Sequence, residues 1–532
     1  MTTPAASSNW LSRKWPLRRA VLYALIIVLA AACGLPQSEG RAQPPAGIGL
    51  QLMVALEPSL NGAGIRIAQS EAGLPVWEVN SNIQPAAVLN YYGSNGMSSV
   101  FPNSLGQDSS HADAVGALLF GPQGVAPGIS IVDNYEADYF ENVVVQNDES
   151  IPAPLVNQSF INETTNNQDL IFVDEIYDGY ASLYHVLFVS AAGNGGTVSS
   201  PGTSYNGLGV GAWGGSSAVG PTPENGRCKP DITAPGSLTS FTTPLVSGAA
   251  AILLQSAKQG DGGPGTASLA ADPRVLKALL LNGAVKPSDW TNSTTNPLDF
   301  RYGAGIVNVF NSWSQLAAGR VQASARASIA SGSPHPPSTT ASGGGQLTGW
   351  DLSTVAFRSA SDGLNHYYFQ MPSGTNSLWT LQATLVWNRD GATAPLENLS
   401  LFLYRIADGA LMASSESSVD NVQHIFLQGL PAGAYDLQVL NSGTGGQTSS
   451  GTETYALAFS FTSSVISIAP SANGPVLSWP IYPDGLTLQA SASLGPTSNW
   501  TNVTSQAMLT NSQNSLSVGN PGATMFYRLV AP

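Results

Sequence analysis

Ser240 is the residue around which chemistry could be organised. The stretch Lys229-Pro-Asp-Ile-Thr-Ala-Pro-Gly-Ser-Leu-Thr-Ser-Phe-Thr-Thr-Pro-Leu-Val-Ser-Gly248 is a turn rich in Pro, Gly and Thr that runs into Leu245-Val-Ser-Gly-Ala-Ala-Ala-Ile-Leu-Leu254. The latter has the small and aliphatic residues of a fully buried helix. A hydroxyl where a loop meets a helix N-terminus sits among free backbone N–H groups and the positive end of the helix dipole. A nucleophile that must stabilise an oxyanion suits that place. So does a plain N-cap serine. Three upstream groups decide between them. Residues 64–73 read as a short buried strand ending on the carboxylate of Glu71 and a glycine turn; residues 110–119 form a small-residue helix with His111 at its start; residues 186–194 are a strand delivering Asn194 at its C-terminal end. Acid, His, Asn, Ser in that order is one of the known triad orders of serine hydrolases, with an amide donor added.

With further blocks in order, the chain resembles the subtilisin-like serine proteases. Ser110-His111 through Val115 looks like the family's His helix, and Gly124-Val-Ala-Pro-Gly128 like the turn that follows it. Leu155-Val-Asn-Gln-Ser159 resembles the substrate-binding strand, and Ala191-Ala-Gly-Asn194 the oxyanion motif. Ser204-Tyr-Asn-Gly207, Lys229-Pro-Asp-Ile232, Ala234-Pro-Gly236 and Thr239-Ser-Phe-Thr-Thr-Pro244 lead into and form the serine block. Leu276-Lys-Ala-Leu-Leu-Leu-Asn282 and Tyr302-Gly-Ala-Gly-Ile-Val-Asn308 look like its closing helix and turn.

The resemblance spans residues 48–320 and implies an α/β subtilisin-like fold, a mostly parallel central sheet flanked by helices. It implies acyl transfer: Ser240 attacks a peptide carbonyl, His111 takes its proton, and Glu71 orients and charge-compensates His111. Asn194 and the Ser240 N–H would hold the oxyanion. It also implies that residues 155–160 and 191–195, with Asn157, Ser159, Ala192 and Gly193 among them, line the primary specificity cleft. Neither segment carries a charge. An uncharged floor favours apolar or aromatic side chains over Lys or Arg.

Two positions depart from the family pattern. Its acid is normally Asp in an Asp-Thr-Gly or Asp-Ser-Gly turn, whereas this turn reads Ser70-Glu71-Ala72-Gly73. Glu is one methylene longer and reaches the imidazole only if strand or turn withdraws by roughly an ångström. Asp113 is the alternative acid, but two positions along a helix from His111 it should point away. In the serine block Ser237-Leu-Thr-Ser240 replaces the usual Gly-Thr-Ser, placing the Leu238 side chain beside the nucleophile. Those departures keep open a reading from another class, a catalytically inactive subtilisin-fold surface binding or adhesion protein. A lipase or esterase fits poorly, because no Gly-x-Ser-x-Gly elbow surrounds Ser240. His185, between Tyr184 and Val186, reads as a structural strand residue.

Elements beyond the peptidase block complete the reading. With 532 residues the chain is too long for one core. Charged residues are only 10%, which with abundant Gly and Pro suits β-rich extracellular modules. A net charge of −14 argues against nucleic-acid binding. Residues 1–33 read as an export signal: Arg13, Lys14, Arg18 and Arg19 precede a 13-residue apolar run, too short to span a membrane, and Ala30-Ala-Ala32 offers a cleavage site. Lipidation at Cys33 and a twin-arginine route through Arg18-Arg19 are the alternatives. The mature chain is expected to be secreted or cell-surface, without a spanning helix, monomeric, and acting on protein or peptide substrates. Cys33 and Cys228 are the only cysteines, so Cys228 should be a buried thiol without a disulfide. Residues 34–47 leave no room for a folding propeptide.

Residues 321–346 read as a Ser/Gly/Pro-rich linker. Alternating strands in 347–465 resemble a pre-peptidase C-terminal type of β-sandwich, and 466–532 a small immunoglobulin-like tail domain. No cofactor is expected and no metal ligand is assigned. Structural calcium stays open; Asp408-Gly409 and Asp420-Asn421 are read as turn residues first.

Overall fold

The computed structural model describes residues 45–530 apart from 73–75, 104, 106, 165, 328–343, 358–362, 373–377, 444–450, 464, 472–473, 496–497, 506, 511–512 and 520–523. The expected export signal and most of the expected linker lie outside the described residues.

Eight strands form the first sheet: β1 (Arg66–Glu71), β2 (Val88–Gly93), β3 (Gly96–Ser98), β4 (Ile131–Glu136), β5 (Leu155–Gln158), β6 (Leu187–Ala191), β7 (Leu208–Trp213) and β8 (Ile232–Pro235). Their order is β3-β2-β4-β1-β5-β6-β7-β8, and every pairing is parallel except that of the edge strand β3 with β2. The helices are α1 (Leu50–Leu56), α2 (Ser110–Leu119), α3 (Ala137–Tyr139), α4 (Asn167–Tyr184), α5 (Thr239–Gln259), α6 (Ala267–Ala270), α7 (Pro273–Gly283) and α8 (Val309–Ala318).

The central strands are buried on both faces, as parallel strands between helix layers must be. Alternate side chains serve opposite cores. Ile67, Leu155, Leu187 and Val189 pack with the aliphatic residues of α5, while Ala68, Val156 and Phe188 pack with Val173, Tyr177 and Tyr180 of α4. Helix α5 is buried along most of its length because it lies between the sheet, α2 and α8. At Gly248 a β-carbon would stand 2.4 Å from Val125 Cβ, so only glycine fits where the helix meets the turn after α2. The helix stops at Gly260, whose φ of 92° lets its N–H reach back to the carbonyls of Ser256 and Ala257.

The second unit comprises β9 (Ala325–Ala327), β10 (Thr348–Ala356), β11 (Leu364–Met371), β12 (Trp379–Trp387), β13 (Leu399–Arg405), β14 (Ala410–Ser415), β15 (Val422–Leu430), β16 (Gly433–Asn441) and β17 (Thr452–Ser463). They make two antiparallel sheets, β10-β17-β12-β15 and β14-β13-β16-β11-β9, around a core that includes Tyr367, Trp387, Leu401 and Phe459. Strand β9 falls inside the segment read as linker, so the chain begins its sandwich before the Gly-rich stretch. The tail forms two small sheets from β18 (Ser467–Ala469), β19 (Val476–Pro480), β20 (Thr487–Ser491), β21 (Thr501–Asn502), β22 (Met508–Thr510), β23 (Gln513–Ser517) and β24 (Phe526–Val530).

These units share cores. Trp350 of β10 is fully buried among peptidase-domain residues and donates its indole N–H to Leu316 O (3.2 Å). Val386, Val422, Ala456 and Ala458 join the same cluster. Thr384 Oγ donates to Asn282 Oδ1 (2.9 Å), the Arg389 N–H to Asn206 Oδ1 (2.8 Å), and Asn421 Nδ2 to Tyr205 O (2.8 Å). In the tail, Asp484 binds Asn308 and Asn311 at the start of α8.

Candidate active site

Strand β1 ends on Glu71, whose side chain is fully buried. His111 Nδ1 lies 2.9 Å from Glu71 Oε2, and Gln69 Nε2 donates to Glu71 Oε1 at 2.8 Å. Gln69 stands two positions before Glu71, on the same face of the strand. Its amide also donates to Ala112 O (3.0 Å), tying β1 to α2 and fixing the carboxylate between them. The glutamate therefore reaches the imidazole. Asp113 does not: its carboxylate accepts the Asn80 N–H at 2.6 Å. Burial lowers the His111 pKa, but the Glu71 charge and hydrogen bond outweigh it and hold the imidazole above its usual value.

Helix α5 is capped by Leu238, which has no capping side chain, so Ser240 is the second residue of the helix and not its N-cap. The capping is done from a distance. Asn194 Oδ1 accepts the Thr239 N–H (2.8 Å) and the Thr239 hydroxyl (2.9 Å). A backbone N–H can only donate, so the acceptor must be the amide oxygen. Asn194 is exposed, and its Nδ2 has no hydrogen-bond partner among the described residues. The N–H groups of Phe241 and Thr242 are taken by Leu238 O. Among the described residues the Ser240 N–H has no hydrogen-bond partner. One backbone donor and one oriented side-chain donor thus stand at the same helix end.

Pro244 explains Ser159. Proline has no N–H, so the carbonyl four residues earlier, that of Ser240, loses its helical partner. Ser159 Oγ supplies one, donating to Ser240 O at 2.9 Å. Ser159 is in turn held by Asn157 Nδ2 (3.1 Å), and Asn157 Oδ1 accepts the Ser247 hydroxyl (2.9 Å). Asn157 and Ser159 are both buried, with side chains spent on holding α5 against β5. Ala192 and Gly193 are also buried, and Gly193 has φ 103°.

Ser240 Oγ donates to Ser159 O (3.2 Å) rather than to His111 among the described residues. The His111 ring centroid lies 5.8 Å from that of Phe241, the residue after Ser240. His185 departs from its expected place in a strand. It ends α4 in the left-handed conformation, φ 53°, exposed, and β6 begins two residues later. Asp408 pairs with Arg405, and Asp420 accepts the Cys228 N–H and the Ser417 hydroxyl, so both carboxylates serve protein donors. Cys228 is buried and free. Gln69, Thr239 and Pro244 were not singled out from sequence. The two-residue strand period marks Gln69, and the spacing Ser240-x-x-x-Pro244 marks the orphan carbonyl.

Compared with known families, residues 58–305 match the subtilase family. Residues 58–305 are a subtilase domain. Its fold is the one expected, and the domain is a subtilisin-like serine peptidase. Among solved structures the chain is similar to the protease domain of PatA (23% identity, 48% of this chain and 97% of that one, TM-score 0.36). It is also similar to the prenylagaramide maturation protease PagA (21%, 51% and 99%, TM-score 0.38). A third is MycP1, a serine protease described as an essential component of the type VII secretion system (17%, 52% and 90%, TM-score 0.35). No curated protein matches the chain. Among the described residues no helix is long and apolar enough to cross a membrane.

Proposed function

We propose that the chain is an exported serine endopeptidase that cleaves peptide bonds through an acyl-enzyme on Ser240. The hydroxyl turns about its Cα–Cβ bond from Ser159 O toward His111, and His111 takes its proton as Ser240 attacks the scissile carbonyl. Glu71 keeps the Nδ1 proton on the far side of the ring and compensates the imidazolium that forms. The oxyanion enters between the Ser240 N–H and Asn194 Nδ2. His111 then returns the proton to the leaving amine, and water repeats the sequence to release the acid.

The observation that carries this reading is the helix end. The Ser240 N–H has no partner among the described residues while its neighbours are satisfied, and Asn194, whose oxygen caps Thr239, keeps its NH₂ group unpaired at the same helix end. Export is supported by the basic and apolar segments within residues 1–33. The reading is tested by peptide hydrolysis with purified protein and with Ser240→Ala and His111→Ala. Turnover by the parent, lost in both variants while both stay folded, is expected. A folded parent that cleaves nothing would transfer the assignment to a binding protein of the same fold.

A further inference from the structure

We infer that Ile161 closes the side-chain slot beside Ser240, so that this enzyme selects a small residue, Gly, Ala or Ser, on the acyl side of the bond it cuts. This rests on the peptidase reading above and names its substrate class. A carbonyl placed between Ser240 and Asn194 has its own side chain flanked by residues 159–161 on one side and 192–194 on the other. Ser240 Oγ touches Ser159 O on the first wall, and Asn194 is anchored to Thr239 on the second.

The walls run together beyond that point. The Asn162 N–H donates to Ser200 O (2.8 Å), and Ser199 Oγ to Asn162 O (2.7 Å). Ile161, the residue before Asn162, lies against Gly193. A methyl group added at Gly193 would stand 3.4 Å from Ile161 Cδ1, 3.7 Å from Ile161 Cγ2 and 3.5 Å from Ala218 Cβ. Ile161 therefore already occupies the distance at which a substrate side chain would pack on Gly193. Ala192, Val198 and Ala218 form a small buried apolar cluster alongside. A methyl or hydroxymethyl fits such a space. An aromatic ring would have to displace Ile161, against the close packing of the walls. The cleft is apolar, as its sequence implies, but short, which revises the expectation of aromatic side chains.

The test is a peptide series differing only in the residue before the scissile bond, Ala, Ser, Leu or Phe, assayed with the parent, Ile161→Ala and Ile161→Gly. A single-methylene misfit changes kcat/KM by about 10–200-fold, so the parent should favour Ala over Phe by at least ~100-fold. Ile161→Gly should bring that ratio to about one or below, with Ile161→Ala between, as the slot opens. The parent series alone decides the matter if a variant does not fold. A parent that cuts after Leu or Phe as readily as after Ala overturns the inference and leaves the peptidase function standing. A folded parent that cuts none of the series and is not labelled by a fluorophosphonate overturns that function, and the inference with it.

Discussion

Glu71→Asp should slow the enzyme, although Asp is the usual acid at this place in subtilisin-like proteases. The carboxylate reaches His111 Nδ1 at 2.9 Å from the last residue of β1, a strand held between β4 and β5. Shortening the side chain by one C–C bond withdraws the carboxylate by about 1.5 Å. That carries it out of hydrogen-bond range, and the bond from Gln69 goes with it. A hydrogen bond to a charged group contributes ~1.5–3 kcal/mol. At ~1.36 kcal/mol per tenfold in rate, kcat/KM should fall by about 10- to 160-fold. The pH profile adds a second reading. Burial lowers the His111 pKa and the Glu71 carboxylate more than restores it, so the folded value lies above the usual one. The base works as neutral imidazole, which sets the acid limb of kcat/KM at raised pH. Loosening the carboxylate contact should move that limb toward lower pH. Hydrolysis of a fluorogenic peptide by the two proteins across the neutral range measures both effects. A Glu71→Asp enzyme as fast as the parent, with its acid limb unmoved, would refute the claim that strand and side-chain length are matched.

Three further outcomes follow from the same structure. Asn194→Ala should lower kcat by about 10²–10³, the usual cost of one oxyanion donor, with thermal unfolding showing the fold retained. Asp231 is fully buried; burial raises its pKa, but the Lys229 and Lys277 ammonium groups outweigh that and hold it below the usual range. Its stabilisation is therefore present above the unfolded carboxylate value and lost as pH falls through the lower folded value. Asp231→Asn would leave two buried ammonium groups poorly paired and cost about 3–5 kcal/mol in urea unfolding at neutral pH, with a shallower loss on acidification. A chain ended after Arg320 removes Trp350 and its neighbours from the peptidase core. It should be expressed insoluble or without near-ultraviolet circular dichroism, and spontaneous active refolding would contradict the shared core.

The peptidase block was legible because its residues carry two signals at once. Buried apolar runs gave β1, β5 and β6, and Glu71 and Asn194 sit where such strands stop. The small-residue helices α2 and α5 placed His111 and Ser240 near their beginnings. What sequence could not give was orientation. Asn194 holding the N-terminus of α5 depends on residues 45 positions apart, and the service of Ser159 to the Ser240 carbonyl spans 81. His185 misled because Tyr184 and Val186 favour a strand, while the end of α4 required a left-handed residue there. In the sandwich the alternation is plain in β13, at Leu399, Leu401 and Leu403, and blurred in β10. Strand β10 buries residues on both faces, Trp350 toward the peptidase core and Val355 toward its own, which blurs a period of two.

Intact-mass measurement of the purified protein after fluorophosphonate treatment, beside Ser240→Ala, tests the central claim most directly. One adduct per chain, mapped to Ser240 and absent from Ser240→Ala, is the predicted result. Folded protein that takes up no adduct, or takes it up elsewhere, would contradict the assignment of Ser240 as nucleophile.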